Sequence, residues 1–346
     1  MLPSVVVWES TKACDFNCRH CRAVSIKERL PEELTAEEVE RRVIDRIKGL
    51  FVISGGDAMK RDDILDIAKY ASSKLVTALS PSGSRITKDV AQKIKDAGIR
   101  AVSISVDGPE PIHDDFRGVP GAYEIASEAS RNVKDVGLHL QVNSTVSRFN
   151  IDHLDELKDT VMSLNPDTWD VFVLIPTGRA TRNMEILPIQ NEMLMLKVRE
   201  WRRKGINVKM TCNPYFVRFS AVRGDPVPKY DPEKGRGSSG GARGCMASNG
   251  FLFVAYNGDV YPCGFLPIKL GNVKERLLDE IYNSPLSRSI SDPSALKGKC
   301  GVCEYKLVCG GCRGRVYSKT RDVHGEDEFC LYHPRVMYHD KRFQIA

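Results

Sequence analysis

Cys14-Asp15-Phe16-Asn17-Cys18-Arg19-His20-Cys21 follows almost directly on the apolar run Val5-Val6-Val7-Trp8. The run is strand-sized, and the octet after it places three thiols at C-x3-C-x2-C spacing in one loop. Such a loop can turn three thiolates toward one face of a [4Fe–4S] cube. One iron is then left without a protein ligand, and that open position is where chemistry can occur. Zinc-binding or incidental thiols are the alternative, but the triplet has no fourth ligand nearby.

The chain continues outward from this loop with a regular rhythm. Strand-sized runs at 4–9, 50–54, 74–80, 100–106, 138–144 and 169–175 alternate with amphipathic stretches at 35–48, 61–73, 87–97, 121–136, 150–163 and 190–204. Thr35-Ala36-Glu37-Glu38 carries a capping-box pattern, and Gly49, Gly98, Gly137 and Gly205 punctuate element ends. Six βα units in a row predict an α/β fold with a parallel sheet and right-handed crossovers. Six is too few to close an eight-stranded barrel, so the expectation is an open partial (β/α)6 barrel over residues 1–204. No internal repeat is present.

Residues 205–244 break the rhythm. Pro226, Pro228 and Pro232 precede a stretch from Gly235 to Gly244 with five glycines in ten positions. This reads as a linker, or as a loop over the active site that brings Arg236 and Arg243 to substrate. Beyond it, Asn257-Gly258 between two apolar runs signals a hairpin with a type I′ turn. The tail then holds Cys245, Cys263, Cys300, Cys303, Cys309, Cys312 and Cys330. Residues 245–346 are expected to form a small domain stapled by metal.

Composition narrows the class further. Of 346 residues, 42% are apolar and 28% charged, enough to bury a core. No apolar run approaches the roughly 18–20 residues of a membrane span, and a strand begins at once where a signal peptide would lie. A cytoplasmic protein with no membrane partner is expected. The net charge of +6 comes with no basic stripe, so nucleic acid is not an expected partner. Ten of the 11 cysteines lie within 14–21 or 245–330, which favours iron–sulfur or zinc sites over a disulfide framework.

These motifs resemble the radical S-adenosylmethionine (SAM) superfamily. The resemblance implies that the open iron holds the amino and carboxylate groups of SAM, whose cleavage gives a 5′-deoxyadenosyl radical. His20 stands where an aromatic residue packs near adenine. Ser54-Gly55-Gly56-Asp57 falls where the family usually has Gly-Gly-Glu for the methionine amino group, with Asp in place of Glu. Ser105, closing Ser103-Ile104-Ser105-Val106-Asp107, pairs with Arg117 as residues that contact ribose or the methionine carboxylate. Asn143, Leu174 and Ile175, at strand ends, complete the implied cofactor contacts. No catalytic acid or base is implied.

The tail resembles the SPASM extension of these enzymes, which carries one or two auxiliary [4Fe–4S] clusters. By that likeness Cys300, Cys303, Cys309 and Cys330 hold an outer cluster, and Cys245, Cys263 and Cys312 an inner one. Cys212 is either a fourth ligand of the inner cluster or a buried free thiol. Trp8-Glu9, Cys21-Arg22-Ala23, His113–Gly121, Pro176-Thr177-Gly178-Arg179, Thr211-Cys212-Asn213-Pro214 and Lys297–Tyr305 together look like the haem b synthase branch. Gly55-Gly56-Asp57-Ala58-Met59 and Ser80-Pro81-Ser82-Gly83 look like a sister group.

That branch implies oxidative decarboxylation of two propionates of iron-coproporphyrin III to vinyl groups. A one-electron donor such as ferredoxin or flavodoxin would serve it. A substrate rich in carboxylates also calls for arginines, and Arg22, Arg179, Arg236 and Arg243 are the candidates. The rivals are a peptide or quinone-cofactor maturase and a related tetrapyrrole-modifying enzyme. A maturase would normally bring a leader-binding domain, for which residues 1–3 and 335–346 are too short.

Overall fold

The computed structural model describes residues 1–226 and 244–335. Its strands are β1 (Val5–Glu9), β2 (Leu50–Ser54), β3 (Val76–Leu79), β4 (Ala101–Ser105), β5 (His139–Val146), β6 (Thr168–Val173), β7 (Val208–Thr211), β8 (Phe251–Val254), β9 (Asp259–Tyr261) and β10 (Gly271–Asn272). The helices between β1 and β7 are α1 (Ala36–Arg42), α2 (Ile64–Ser72), α3 (Lys88–Asp96), α4 (Glu110–Arg117), α5 (Ala122–Asp135), α6 (Leu154–Ser163) and α7 (Pro188–Arg203). After β7 come α8 (Tyr215–Val222), α9 (Leu278–Tyr282), α10 (Pro285–Ser291), α11 (Gly298–Val302) and α12 (Arg313–Thr320).

All ten strands lie in one open sheet, ordered β10-β9-β8-β1-β2-β3-β4-β5-β6-β7. The pairs from β1 to β7 are parallel, as the βα rhythm requires. Fully buried Val6, Trp8, Phe51 and Ile53 pack on one side of the central strands against helix residues such as Val39 and Ile67. The expected cap is present at α1: the Glu38 amide donates to Thr35 Oγ1 and the Thr35 amide to Glu38 Oε2. At the far edge Trp201 of α7 stacks on Trp169 of β6, ring centroids 4.9 Å apart.

Three features depart from the sequence expectations. The supposed linker begins with a seventh parallel strand, β7 on β6, followed by α8. Its apolar positions are too few to signal an element alone; pairing with β6 supplies the rest. Second, β8 pairs in parallel with β1, so the hairpin of the tail extends the barrel sheet itself. Third, the hairpin does not use a type I′ turn. The Gly258 amide donates to the Ala255 carbonyl, and only Gly258, at φ +91°, is left-handed there. This is a three-residue loop with the glycine at its last position. Among the described residues no helix is long and apolar enough to cross a membrane.

Candidate active site and cysteine cages

The loop leaving β1 is tied down by backbone bonds on both sides. The Gly56 amide donates to the Thr11 carbonyl and the Asp57 amide to the Ala13 carbonyl, both at 2.7 Å. A Cβ on Gly56 would lie 2.4 Å from the Ala13 oxygen, so only glycine permits this approach. Gly178, at φ +66°, fills the same role beyond β6: a Cβ there would meet the Cys21 and Arg22 carbonyls at 2.4 Å. The carboxyl ends of the strands thus clamp the triplet loop.

Cys14, Cys18 and Cys21 face an open cleft of about 1120 Å³ at those strand ends. The same cleft is lined by the expected His20, Gly55, Gly56, Ser105, Arg117, Asn143, Leu174 and Ile175, and by Arg22. Ser54, Ser80, Pro81, Ser82, Thr145 and Phe265 also line it, and sequence reasoning did not assign them. His20 stacks on Phe116, with centroids 4.0 Å apart and planes 9° from parallel. Burial, then the nearby Arg117 charge, holds the His20 imidazole neutral by pushing its pKa well down.

Arg117 sits at the end of α4, a helix the sequence reading missed. Its Nη2 lies 2.6 Å from Asp107 Oδ2 and its Nη1 3.8 Å from Cys18 Sγ. Asp107 is fully buried and also accepts from the Thr145 amide at 2.7 Å. Burial raises the Cys18 thiol while the Arg117 charge pulls it back; Cys14, more weakly opposed, is pushed up to about 11.

Two expected contacts are turned elsewhere. Asp57 does not line the cleft. Its buried carboxylate accepts from Ser82 Oγ at 2.6 Å, Ser84 Oγ at 3.1 Å and the Met59 amide at 3.1 Å. The shorter Asp side chain folds back as the cap of a 3-10 turn at Ala58–Lys60. Arg179, expected to meet substrate, laces the triplet loop instead: its guanidinium donates to Asn17 Oδ1, the Cys18 carbonyl and the Ser25 carbonyl. Arg236 and Arg243 lie outside the described residues.

The tail thiols fall into two groups. Cys300, Cys303, Cys309 and Cys330 line one cavity of about 380 Å³, with Tyr215 and Arg218 of α8 and Lys299 on its walls. Arg218 Nη2 points at Cys330 Sγ, 3.6 Å away. Cys212, Cys245, Cys263 and Cys312 form the second group. Burial is the main cause of the raised pKa of Cys212, Cys263 and Cys312, and within the group neighbouring thiols raise each further. Cys212 follows β7 with φ +58°, a left-handed conformation uncommon outside glycine. The leftover cysteine of the sequence therefore stands with the inner three.

All eleven thiols are free. Among the described residues no group of three or more His, Cys, Asp or Glu side chains gathers as one metal ion would require. A multi-iron cluster, with each thiolate on its own iron, suits this donor set. The cleft fits a cofactor too: the buried Nδ1 of His20 and Nε of Arg117, on its wall, have no hydrogen-bond partner.

Comparison with known proteins agrees with this geometry. Residues 8–161 match the Radical SAM superfamily model, and residues 245–312 the SPASM iron–sulfur cluster-binding domain. The chain belongs to the radical SAM superfamily. It is a SPASM-bearing enzyme that uses an iron–sulfur cluster with SAM and carries auxiliary iron–sulfur binding in its tail.

At closer range it is 34% identical to an AdoMet-dependent heme synthase of Methanosarcina barkeri (strain Fusaro / DSM 804), covering 96% of this chain and 97% of that one. It is 30% identical to a pre-heme d1 synthase of Dinoroseobacter shibae (strain DSM 16493 / NCIMB 14021 / DFL 12), over 94% and 85% of the two chains. Streptococcus suis SuiB bound to S-adenosylmethionine shares the fold, with TM-score 0.75 and 18% identity over 96% of this chain and 78% of that one.

Proposed function

We propose that this protein makes haem b from iron-coproporphyrin III by oxidative decarboxylation of two propionates to vinyl groups. The observation that carries this reading is the likeness to heme synthases at 34% identity over nearly the full length of both chains. In the cleft, Cys14, Cys18 and Cys21 would hold the cluster whose fourth iron position takes SAM. Bound there, the pair supplies a 5′-deoxyadenosyl radical that removes a hydrogen from the substrate.

The remaining roles belong to the chain's own groups. Ser105, Asn143 and Arg117 offer hydrogen bonds to the polar parts of SAM. His20, Leu174 and Ile175 form the wall for adenine. Asp57 acts from behind, orienting Ser82, which lines the cleft. Arg117, made rigid by Asp107, keeps a positive charge beside Cys18 and so favours its thiolate. In the tail, Cys300, Cys303, Cys309 and Cys330 would hold one auxiliary cluster and Cys212, Cys245, Cys263 and Cys312 another. A ferredoxin or flavodoxin in the cytoplasm would deliver the electron for each turnover.

The test is anaerobic incubation of reconstituted protein with SAM, a one-electron reductant and iron-coproporphyrin III, followed by mass spectrometry. Loss of two carbon dioxides and four hydrogens (one carbon dioxide and two hydrogens per propionate), with 5′-deoxyadenosine formed, is the expected result. Formation of 5′-deoxyadenosine with the porphyrin mass unchanged would overturn the substrate.

A further inference from the structure

The two groups of tail thiols meet at one residue. Asp327, in the turn between α12 and Cys330, is 1% exposed and hydrogen-bonded to both groups. Toward the outer group its amide donates to Cys300 Sγ at 3.4 Å, and its carbonyl accepts from the Cys330 amide at 3.1 Å. Toward the inner group its Oδ2 accepts from the Cys312 amide at 2.8 Å.

The main chain between the groups leaves room for this contact. Cys309 and Cys312 are separated by Gly310 and Gly311. A Cβ on Gly311, at φ +64°, would lie 3.0 Å from the Asp327 Cβ and 2.6 Å from Arg313 Nη2. Glycine there lets Asp327 pack on the strip that joins one cage to the other.

The three hydrogen bonds to the carboxylate all come from donors. Tyr215 of α8, fully buried, donates its phenol proton to Oδ2, beside the Cys312 amide, and the Phe329 amide donates to Oδ1 at 3.2 Å. Two acceptor oxygens suit that set, whereas an amide side chain would turn an N–H group toward a donor. Arg313 and Arg315 stand close by and are engaged elsewhere. Arg315 pairs with Glu185, and Arg313 donates to the Val323 and Gly325 carbonyls. Burial is the main cause that raises the pKa of Cys300, Cys312 and Cys330, and the Asp327 charge adds to it in all three. One carboxylate is felt in both groups.

We propose that Asp327 is a positioning residue common to the two tail clusters and sets their reduction potentials together. The inference rests on the assignment of Cys300, Cys303, Cys309 and Cys330 to one cluster and of Cys212, Cys245, Cys263 and Cys312 to the other. Cluster potentials follow the net charge nearby and the hydrogen bonds to the sulfurs. Asp327 contributes an N–H to Cys300 and a negative charge that reaches both groups. Reduction adds an electron to a cluster, so that charge opposes it and holds both potentials low. The two clusters are then not independent, and a change at this residue is read in both.

The experiment is an anaerobic redox titration of the reconstituted protein without SAM, followed by electron paramagnetic resonance. Asp327→Asn removes the charge and keeps the size of the side chain. At a fixed potential within the transition, the ratio of reduced to oxidised cluster should rise about tenfold for both tail signals, the scale of one unit charge in a protein interior. The signal that depends on Cys14, Cys18 and Cys21 should stay in place. Tyr215→Phe takes a donor away from the carboxylate and leaves its charge less spread, so both tail signals should move the opposite way. Equal iron content shows that each variant is loaded.

A shift in only one tail signal, or in neither, would overturn the shared role. If Asp327→Asn does not load, Tyr215→Phe decides, because it keeps the carboxylate and its bond from Cys312; tail signals that stay in place there overturn the proposal too. If wild type itself holds fewer than two tail clusters by iron content and spin count, the ligand assignment falls before any variant is compared.

Discussion

The two cysteine-rich regions of this molecule are built to opposite plans. In the N-terminal loop three thiols face a cleft of about 1120 Å³, and the surrounding elements supply glycines, hydroxyls and two arginines. In the tail, four thiols line a much smaller cavity, of about 380 Å³, and four more gather as a second group. A set of three with room beside it leaves a coordination position for a reactant. A set of four does not, and is suited to carrying electrons and to stapling a small domain. The difference teaches that ligand count and adjoining space, taken together, separate the site of chemistry from its support.

The largest effect that tests this contrast comes from the triplet. Replacing Cys14, Cys18 and Cys21 together by Ala should abolish 5′-deoxyadenosine formation, measured by chromatography, while iron analysis shows the tail still loaded. A variant that retained SAM cleavage would break the contrast outright. Next in size, Cys300→Ala or Cys330→Ala should leave 5′-deoxyadenosine formation within a few-fold of wild type but lower haem product at least tenfold. Product yield unchanged in a folded variant lacking the outer cluster would reduce that cluster to a staple.

A smaller effect is expected at Asp57. Asp57→Asn removes the charged acceptor for Ser82 and Ser84, so the KM for SAM should rise about tenfold while kcat changes little. A loss confined to kcat would instead place Asp57 in contact with the reacting groups.

The thiols also give a pH test. Burial pushes Cys14 up to about 11 and Cys312 up to about 12. Without iron both keep their protons at neutral pH, so loading must release protons and should improve from pH 7 to pH 8.5. The iron-free fold responds in the opposite sense. Because the folded pKa of Cys14 lies above its value of 9.0 in the absence of structure, the stability it contributes is complete below pH 9 and is lost as pH rises toward 11. Urea unfolding of iron-free protein at pH 8 and pH 10 checks the direction. Smallest of all, Thr35→Ala should cost about 1 kcal/mol of stability through loss of the α1 cap, with SAM cleavage unchanged.

Much of this plan was legible in the sequence because it is locally encoded. The strands β1 to β6 are short apolar runs, and glycines such as Gly98 and Gly137, in left-handed conformations, end the helices before them. The triplet, the Gly55-Gly56 turn and Ser105 were legible because each sits at a strand end, where parallel sheets gather their ligands, whereas Arg117, at the end of α4, was named only through the family resemblance. What was not legible depends on distant partners. Strand β7 is stabilised by β6, and β8 joins the sheet through β1, some 245 residues away along the chain. The helix α4 follows Pro109 and ends at left-handed Gly118, too short to show a period.

Side-chain direction was the other blind spot. Nothing in Gly55-Gly56-Asp57 tells whether the carboxylate faces the cleft or the Ser82–Ser84 loop, because Ser82 belongs to the next βα unit. Arg179 looked like a substrate arginine from its motif. Three carbonyl and amide oxygens of the triplet loop claim its guanidinium, and only the assembled fold reveals them. Cys212 lay apart from the other tail cysteines in sequence, and the turn after β7 brings it to them.

The division between an open and a closed set of thiols is tested most directly by electron paramagnetic resonance of the reduced, fully loaded protein, recorded with and without SAM. The signal that disappears in the Cys14/Cys18/Cys21→Ala variant should shift when SAM is added, and the signals that survive in that variant should not respond to it. A tail signal that shifts with SAM in the triple variant would contradict the division.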